Sequence, residues 1–173
     1  KSRWSIIPVP PAGWLPPGLG LTAGAGGRVS PGGRAATLHA GGAARQAVVG
    51  DDPTRRLRCV RYCSAQAHSS AVRAAWMAGL PRDQVREIPI DDAFRIRPDA
   101  LAEILNEDRA HGLLPMMVVA SAGTTNTGAV DPLHALAALC DEQQVWLNVD
   151  GGYGGVAVMN QYGQAGPADV QRA

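Results

Sequence analysis

The chain has 173 residues, which is enough for one domain with a buried core. Its formal net charge is +1, which argues against nucleic acid or an anionic membrane as the main partner. No apolar run approaches the roughly 18 residues of a membrane span, so a globular, soluble protein is expected. The three cysteines lack the spacing of a zinc site, and we expect reduced thiols in a cytoplasmic protein with no bound metal.

The first 56 residues form a segment of unusual composition. No acidic residue precedes Asp51, and 11 of the 21 glycines lie within the first 50 residues. This composition predicts a loop-rich or partly disordered segment. Two interpretations stay open: a glycine-rich cofactor loop that leads into a short helix over residues 35–49, or a degraded or misread version of one. The second interpretation arises because glycine at positions 41 and 42, in the middle of that helix, would cost roughly 2 kcal/mol of helix stability relative to alanine.

From residue 57 to residue 173 strands alternate with helices. Ser69 is suited to cap a helix that Gly79 ends, Pro98 is suited to the first turn of another, and the all-apolar residues 116–120 are typical of a central parallel strand. The predicted strands cover residues 58–62, 85–90, 116–120 and 145–149, and the predicted helices cover residues 69–78, 98–111 and 131–143. Such alternation predicts an α/β fold with a mostly parallel sheet and flanking helices.

Polar residues follow three of these strands. His68 lies between a strand and a helix, Thr124 and Thr125 follow the apolar strand, and Asp150 ends the last strand before a glycine-rich turn. Each has an ordinary structural explanation as a cap, a turn hydroxyl or a turn former. Taken together, in this order, they predict one ligand pocket at the carboxyl edge of the sheet.

Residues 62–159 resemble the cofactor-binding domain of group II pyridoxal-phosphate-dependent amino acid decarboxylases. Within that family they are most similar to the aromatic-L-amino-acid decarboxylases. Three segments carry the resemblance: residues 64–70 (SAQAHSS), 122–128 (AGTTNTG) and 146–153 (WLNVDGGY). It implies the large domain of the aspartate-aminotransferase-like class (fold type I), present in part, and pyridoxal 5'-phosphate (PLP) as the cofactor. It also implies decarboxylation of an L-amino acid to the amine, and a homodimer in the full-length parent. The histidine followed by two serines suggests an aromatic substrate.

The resemblance also implies roles for four residues. Asp150 would pair with the pyridine nitrogen of PLP and keep it protonated, and His68 would stack on one face of the ring; these two are the implied catalytic residues. Gly152, where the family usually has alanine, would lie against the other face. Thr125 would form hydrogen bonds within the pocket.

Residues 26–40 resemble the family's phosphate loop and the helix that follows it. Gly32 and Gly33 match the family pattern, whereas Arg34 stands where a small hydroxyl residue is usual and Ala35 replaces a glutamate. A helix N-terminus can bind phosphate through its backbone N–H groups without that hydroxyl. Two outcomes stay open at Arg34: its guanidinium strengthens phosphate binding, or it clashes in a tight loop.

The only lysine of the sequence is Lys1. In the family PLP is attached to a lysine in an Asp-Pro-His-Lys segment, and residues 168–173 resemble the lead-in to that segment. We therefore expect a fragment that ends before the lysine, binds PLP only non-covalently and has little or no turnover by itself. The alternatives are a catalytically inert truncated homologue, or another fold type I PLP enzyme such as an aminotransferase or a lyase.

Overall fold

The architecture comes from a computed structural model that describes residues 30–155. The predictions for residues 1–29 and for the lead-in at residues 168–173 lie outside the described residues. The helices are α1 (Gly33–Val49), α2 (Pro53–Arg56), α3 (Ser70–Met77), α4 (Pro98–Ala110) and α5 (Leu133–Glu142), with a 3-10 turn at Arg82–Gln84. The strands are β1 (Cys59–Ser64), β2 (Val85–Ile88), β3 (Leu114–Ser121) and β4 (Trp146–Asp150).

The four strands form one parallel sheet in the order β2-β1-β3-β4. Every residue of β1 is buried, as are seven of the eight residues of β3, because helices cover both faces of these central strands. The strands run in the same direction, so the loops after β1, β3 and β4 leave the sheet at one edge. The register places Ser121 of β3 directly beside Asp150 of β4.

Each face of the sheet has its own apolar layer. On one face, residues of α4 and α5 such as Leu101, Leu105 and Leu136 pack against β1 and β3. On the other face, Ala44 of α1 and Ala75 of α3 belong to a second layer whose small side chains allow a close approach of the helices to the sheet. Within the described part of the chain, no helix is both long and apolar enough to cross a membrane.

The predicted alternation and fold class are confirmed, although several boundaries differ. The helix predicted over residues 35–49 begins at Gly33 and continues through Gly41 and Gly42, which favours the loop-and-helix interpretation of this region. The first strand extends to Ser64 rather than ending at residue 62. The second ends at Ile88 rather than at residue 90, because the following Pro89 has no N–H to continue the ladder.

Candidate functional site

A cavity of about 660 Å³ lies at the carboxyl edge of the sheet. Its walls come from the N-terminus of α1, the start of α3 and the loops that follow β1, β3 and β4. All six residues that the sequence assigned to a cofactor site line it: Gly33, Arg34, His68, Thr125, Asp150 and Gly152. The predicted convergence of separate loops on one pocket is therefore present, because a parallel sheet brings the ends of its strands together.

His68 lies in the short connection between β1 and α3. The carbonyl oxygen of His68 accepts a hydrogen bond of 2.9 Å from the N–H of Ala71. Its ring nitrogen Nδ1 lies 2.9 Å from the hydroxyl of Ser70 and 3.2 Å from the backbone nitrogen of Ser70. The imidazole is thus held at the first turn of α3 while it borders the cavity.

The side chain of Asp150 stabilises the turn after β4, and the residue also borders the cavity. Its Oδ1 accepts a hydrogen bond of 3.1 Å from the N–H of Gly152, which is the turn-forming bond expected of an aspartate before glycines. The residue is half-buried and borders the cavity. A Cβ atom at position 152 would lie 3.2 Å from Oδ1 of Asp150, so the glycine avoids a tight contact that an alanine would make here.

Both threonines after β3 line the cavity, and Thr124 also has a structural role in the loop. Thr124 is 2% exposed, and its Oγ1 lies 2.6 Å from Oγ1 of Thr127 and accepts a bond of 3.1 Å from the N–H of Ala129. These bonds close the loop on itself, which is ordinary turn chemistry. Thr125 is exposed and lines the cavity.

The N-terminus of α1 also lines the cavity. Its N-cap residue, Gly32, has a φ of 96° and provides no side-chain cap. The N–H groups of the first helical turn, at Gly33, Arg34 and Ala35, therefore keep their capacity to bind an anion, and the dipole of a 17-residue helix favours negative charge there. Arg34 adds a guanidinium on the same wall.

Backbone contact joins two of the loops that line the cavity, the loop after β3 and the turn after β4. Gly154 lies so close to Ala122 that a Cβ atom at position 154 would overlap the carbonyl oxygen of Ala122. Gly123, which has a φ of 96°, lies against the same segment and against Tyr153. Glycine at these positions allows the loop after β3 and the turn after β4 to pack backbone to backbone.

A buried carboxylate holds the end of β3 in position. Oδ1 of Asp131 accepts a bond of 2.8 Å from the N–H of Ile96, and Oδ2 accepts one of 2.7 Å from the N–H of Ser121. Burial raises the pKa of the Asp131 carboxyl, while the two N–H groups oppose that rise. Asp131 thereby fixes the position of Ser121, which lines the cavity beside Asp150.

Other wall residues were not assigned to the site from the sequence: Leu38, Ser70, Met77, Ser121 and Tyr153. Helical spacing was the signal that could have found two of them. Leu38 lies four residues after Arg34 on α1, and Met77 lies seven after Ser70 on α3, so each shares a face with a residue at the helix start.

Comparison with known proteins identifies the family. Residues 14–165 match the model of the pyridoxal-dependent decarboxylase conserved domain. The chain belongs to the pyridoxal-dependent decarboxylase family. This result confirms the family resemblance, and the cofactor predicted from the sequence is the one that the family description names.

Relatives of the chain include decarboxylases of several amino acids. Aromatic-L-amino-acid decarboxylase of Bacillus atrophaeus is 41% identical over 160 residues, which cover 92% of this chain and 33% of the relative. Histidine decarboxylase of Rattus norvegicus is 37% identical over 109 residues, covering 63% of this chain and 16% of the relative. The chain thus spans about one third of the length of the Bacillus atrophaeus member of the family.

A solved structure shares the fold. The crystal structure of Oryza sativa TDC with PLP superposes with a TM-score of 0.80 at 28% identity, covering 92% of this chain and 37% of that chain. The described sheet and its helices therefore have the α/β architecture of fold type I PLP decarboxylases, as the sequence predicted.

Proposed function

We propose that this chain provides the cofactor pocket of an enzyme that decarboxylates an L-amino acid with the help of PLP. The observation that carries the proposal is the meeting of Asp150, His68 and the N-terminus of α1 around one cavity. A carboxylate, an imidazole and an anion-binding helix end match a molecule with a basic ring nitrogen, a flat aromatic face and a phosphate.

The residues present fit PLP. The N–H groups at the start of α1 suit the phosphate, with Arg34 as an additional cation, so we take the guanidinium to strengthen the binding. Oδ1 of Asp150 is engaged by Gly152, and Oδ2 is the oxygen available to a ring nitrogen. When bound, PLP supplies an electron sink for the pair of electrons released as carbon dioxide leaves an amino acid.

Each site residue then has a defined task. The negative charge of Asp150 holds a proton on the ring nitrogen, because an opposite charge favours the protonated form. His68 would pack against the cofactor ring, and Gly152 would permit its close approach to the turn after β4. Thr125, exposed at the cavity wall, provides a hydroxyl that hydrogen-bonds within the site.

We also propose an aromatic substrate and a homodimeric parent enzyme. Apolar side chains on the cavity wall, those of Leu38, Met77 and Tyr153, support an aromatic side chain as the ligand. The name of the Bacillus atrophaeus relative agrees with that choice.

Because the sequence has no lysine besides Lys1, we expect the 173 residues alone to bind PLP non-covalently and to release carbon dioxide slowly or not at all.

The test is a titration of the chain with PLP, followed by the absorbance of the cofactor. Asp150→Asn keeps the size of the side chain and removes its charge, so PLP affinity should fall about tenfold or more, as expected from the loss of a charge-assisted bond. Asp141→Asn, an exposed acid of α5 outside the cavity, is the matched control and should bind as the wild type does. Equal affinity of the two variants would remove the role assigned to Asp150.

A further inference from the structure

Two hydrogen bonds converge on one nitrogen of His68. Nδ1 lies 3.2 Å from the backbone nitrogen of Ser70 and 2.9 Å from its hydroxyl oxygen. A backbone N–H can only donate, so Nδ1 acts as an acceptor and carries no proton in this arrangement. The hydroxyl hydrogen can turn about the Cβ–Oγ bond, so the hydroxyl donates to the same nitrogen.

The protonation pattern of the ring follows from this contact. A neutral imidazole with an unprotonated Nδ1 carries its proton on Nε2. Ser70 is 3% exposed and lies at the first position of α3, so its backbone and hydroxyl are both fixed by the helix. The ring is consequently tied to a rigid element through one nitrogen, and the other nitrogen is left as a donor for a ligand.

We propose that Ser70 is a positioning residue that holds His68 in its Nε2–H form and fixes the plane of the imidazole at the cavity wall. The significance for catalysis rests on the proposed function, in which His68 packs on the cofactor. A ring whose plane is already fixed stacks on another ring without a further ordering cost, and a buried partner two residues along the chain provides that restraint.

His111 provides an internal reference for the opposite tautomer, the one with its proton on Nδ1. Nδ1 of His111 lies 2.8 Å from the carbonyl oxygen of Glu107, which can only accept, so His111 carries a proton on Nδ1. Long-range ¹⁵N–¹H spectra of the uniformly ¹⁵N-labelled chain, recorded without PLP at a pH where the histidines are neutral, distinguish the two forms. The His68 signals are assigned as those that disappear in His68→Gln.

The decisive variant is Ser70→Ala, with Ser69→Ala as its control. Ser69 is exposed and its side chain makes no capping bond, so its replacement leaves the tautomer of His68 unchanged. Loss of the Ser70 hydroxyl should lower the ratio of Nε2–H to Nδ1–H forms of His68 roughly fivefold, the effect of one hydrogen bond. Ser70→Thr retains a hydroxyl and should keep the wild-type ratio, and His111 should not change in any of these variants.

Two results would overturn the proposal. One is a wild-type His68 with its proton on Nδ1, and the other is a Ser70→Ala spectrum identical to that of the wild type while circular dichroism reports the same fold. PLP titration of the same samples tests the proposed function separately. If replacement of Ser70 changes the tautomer ratio of His68 but the chain does not bind PLP, the positioning role is supported and the proposed cofactor site is contradicted.

Discussion

The guanidinium of Arg61 fills the space beside Gly41 in the middle of α1. A Cβ atom at position 41 would overlap Nη2 of Arg61, whereas a Cβ atom at Gly42 would meet no described residue within 4 Å. Arg61 is completely buried between β1 and the helices, and its Nη1 donates a bond of 2.8 Å to the carbonyl oxygen of Ala71. One of the two central glycines of α1 is therefore required by packing, and the other is not.

Replacing these glycines should have opposite effects. Gly42→Ala should raise the free energy of unfolding by up to about 1 kcal/mol, since alanine is the better helix former. Gly41→Ala gains the same propensity but forces a methyl group into a buried side chain, which costs about 1–3 kcal/mol, so a net loss is expected. Urea unfolding followed by circular dichroism measures both. A Gly41→Ala variant as stable as Gly42→Ala would contradict the packing argument.

Arg61 itself should be replaceable by an apolar residue of similar length. Burial lowers the pKa of the Arg61 guanidinium to about 10, so the group is still charged at neutral pH, and its Nε and Nη2 have no hydrogen-bond partner among the described residues. Removing an incompletely paired buried charge is often neutral or stabilising by about 1–4 kcal/mol. Arg61→Met should therefore unfold at equal or higher urea concentration than the wild type. Arg73→Met, at an exposed position of α3, is the control and should change stability by less than about 0.5 kcal/mol.

The double variant Gly41→Ala/Arg61→Met tests the contact directly. Methionine is flexible and lacks the branched guanidinium, so alanine at position 41 should cost less in this background than in the wild type. Additive effects of the two substitutions would show that Arg61 and Gly41 do not interact.

The sequence predicted which strand ends meet at the cavity better than it predicted the packing contacts behind them. Asp150 and His68 could be found because apolar strands end abruptly at polar residues, and the fold brings such ends together. Arg61 could not, since a charged residue at a strand position is normally exposed and its burial depends on the missing side chain of Gly41. Helical spacing places Leu38 and Met77 on the same helix faces as Arg34 and Ser70, but it does not specify how α1 and α3 pack on each other around the cavity.

Asp131→Asn should destabilise the fold although the two side chains have the same shape. The carboxylate accepts from both Ile96 and Ser121, whereas a carboxamide has only one acceptor oxygen and would direct its NH₂ group at the second N–H. The expected cost is about 1–3 kcal/mol, measured by urea unfolding at pH 7. Asp141→Asn, at an exposed position, is the control.

Because burial raises the pKa values of two thiols, we expect the protein to lose stability in alkaline solution. Burial raises the pKa of Cys63 from 9.0 to about 11 and that of Cys140 from 9.0 to about 12. Between pH 9 and these values the unfolded chain releases protons that the folded chain retains, so each thiol lowers stability by up to about 1.4 kcal/mol per pH unit. Urea unfolding between pH 8 and 10.5 should show a steeper decline for the wild type than for Cys63→Val/Cys140→Val. Parallel pH profiles would be inconsistent with buried, protonated thiols.

Gly154→Ala should damage the cavity more than it damages the fold. The added methyl group would overlap the carbonyl oxygen of Ala122, and because that atom belongs to the backbone, one of the two loops has to move. Both loops supply cavity-lining residues, Gly123 and Thr125 from one and Gly152 and Tyr153 from the other. A shift of either loop alters the position of Asp150 relative to the wall made by the loop after β3.

PLP affinity of Gly154→Ala should therefore fall about tenfold, equivalent to roughly 1.4 kcal/mol, in an absorbance titration. Gly155→Ala is the matched control, because a Cβ atom there meets nothing within 4 Å among residues 30–155, and it should bind PLP as the wild type does. If both variants bound PLP with wild-type affinity, the contact between Gly154 and Ala122 would have no part in shaping the cofactor site.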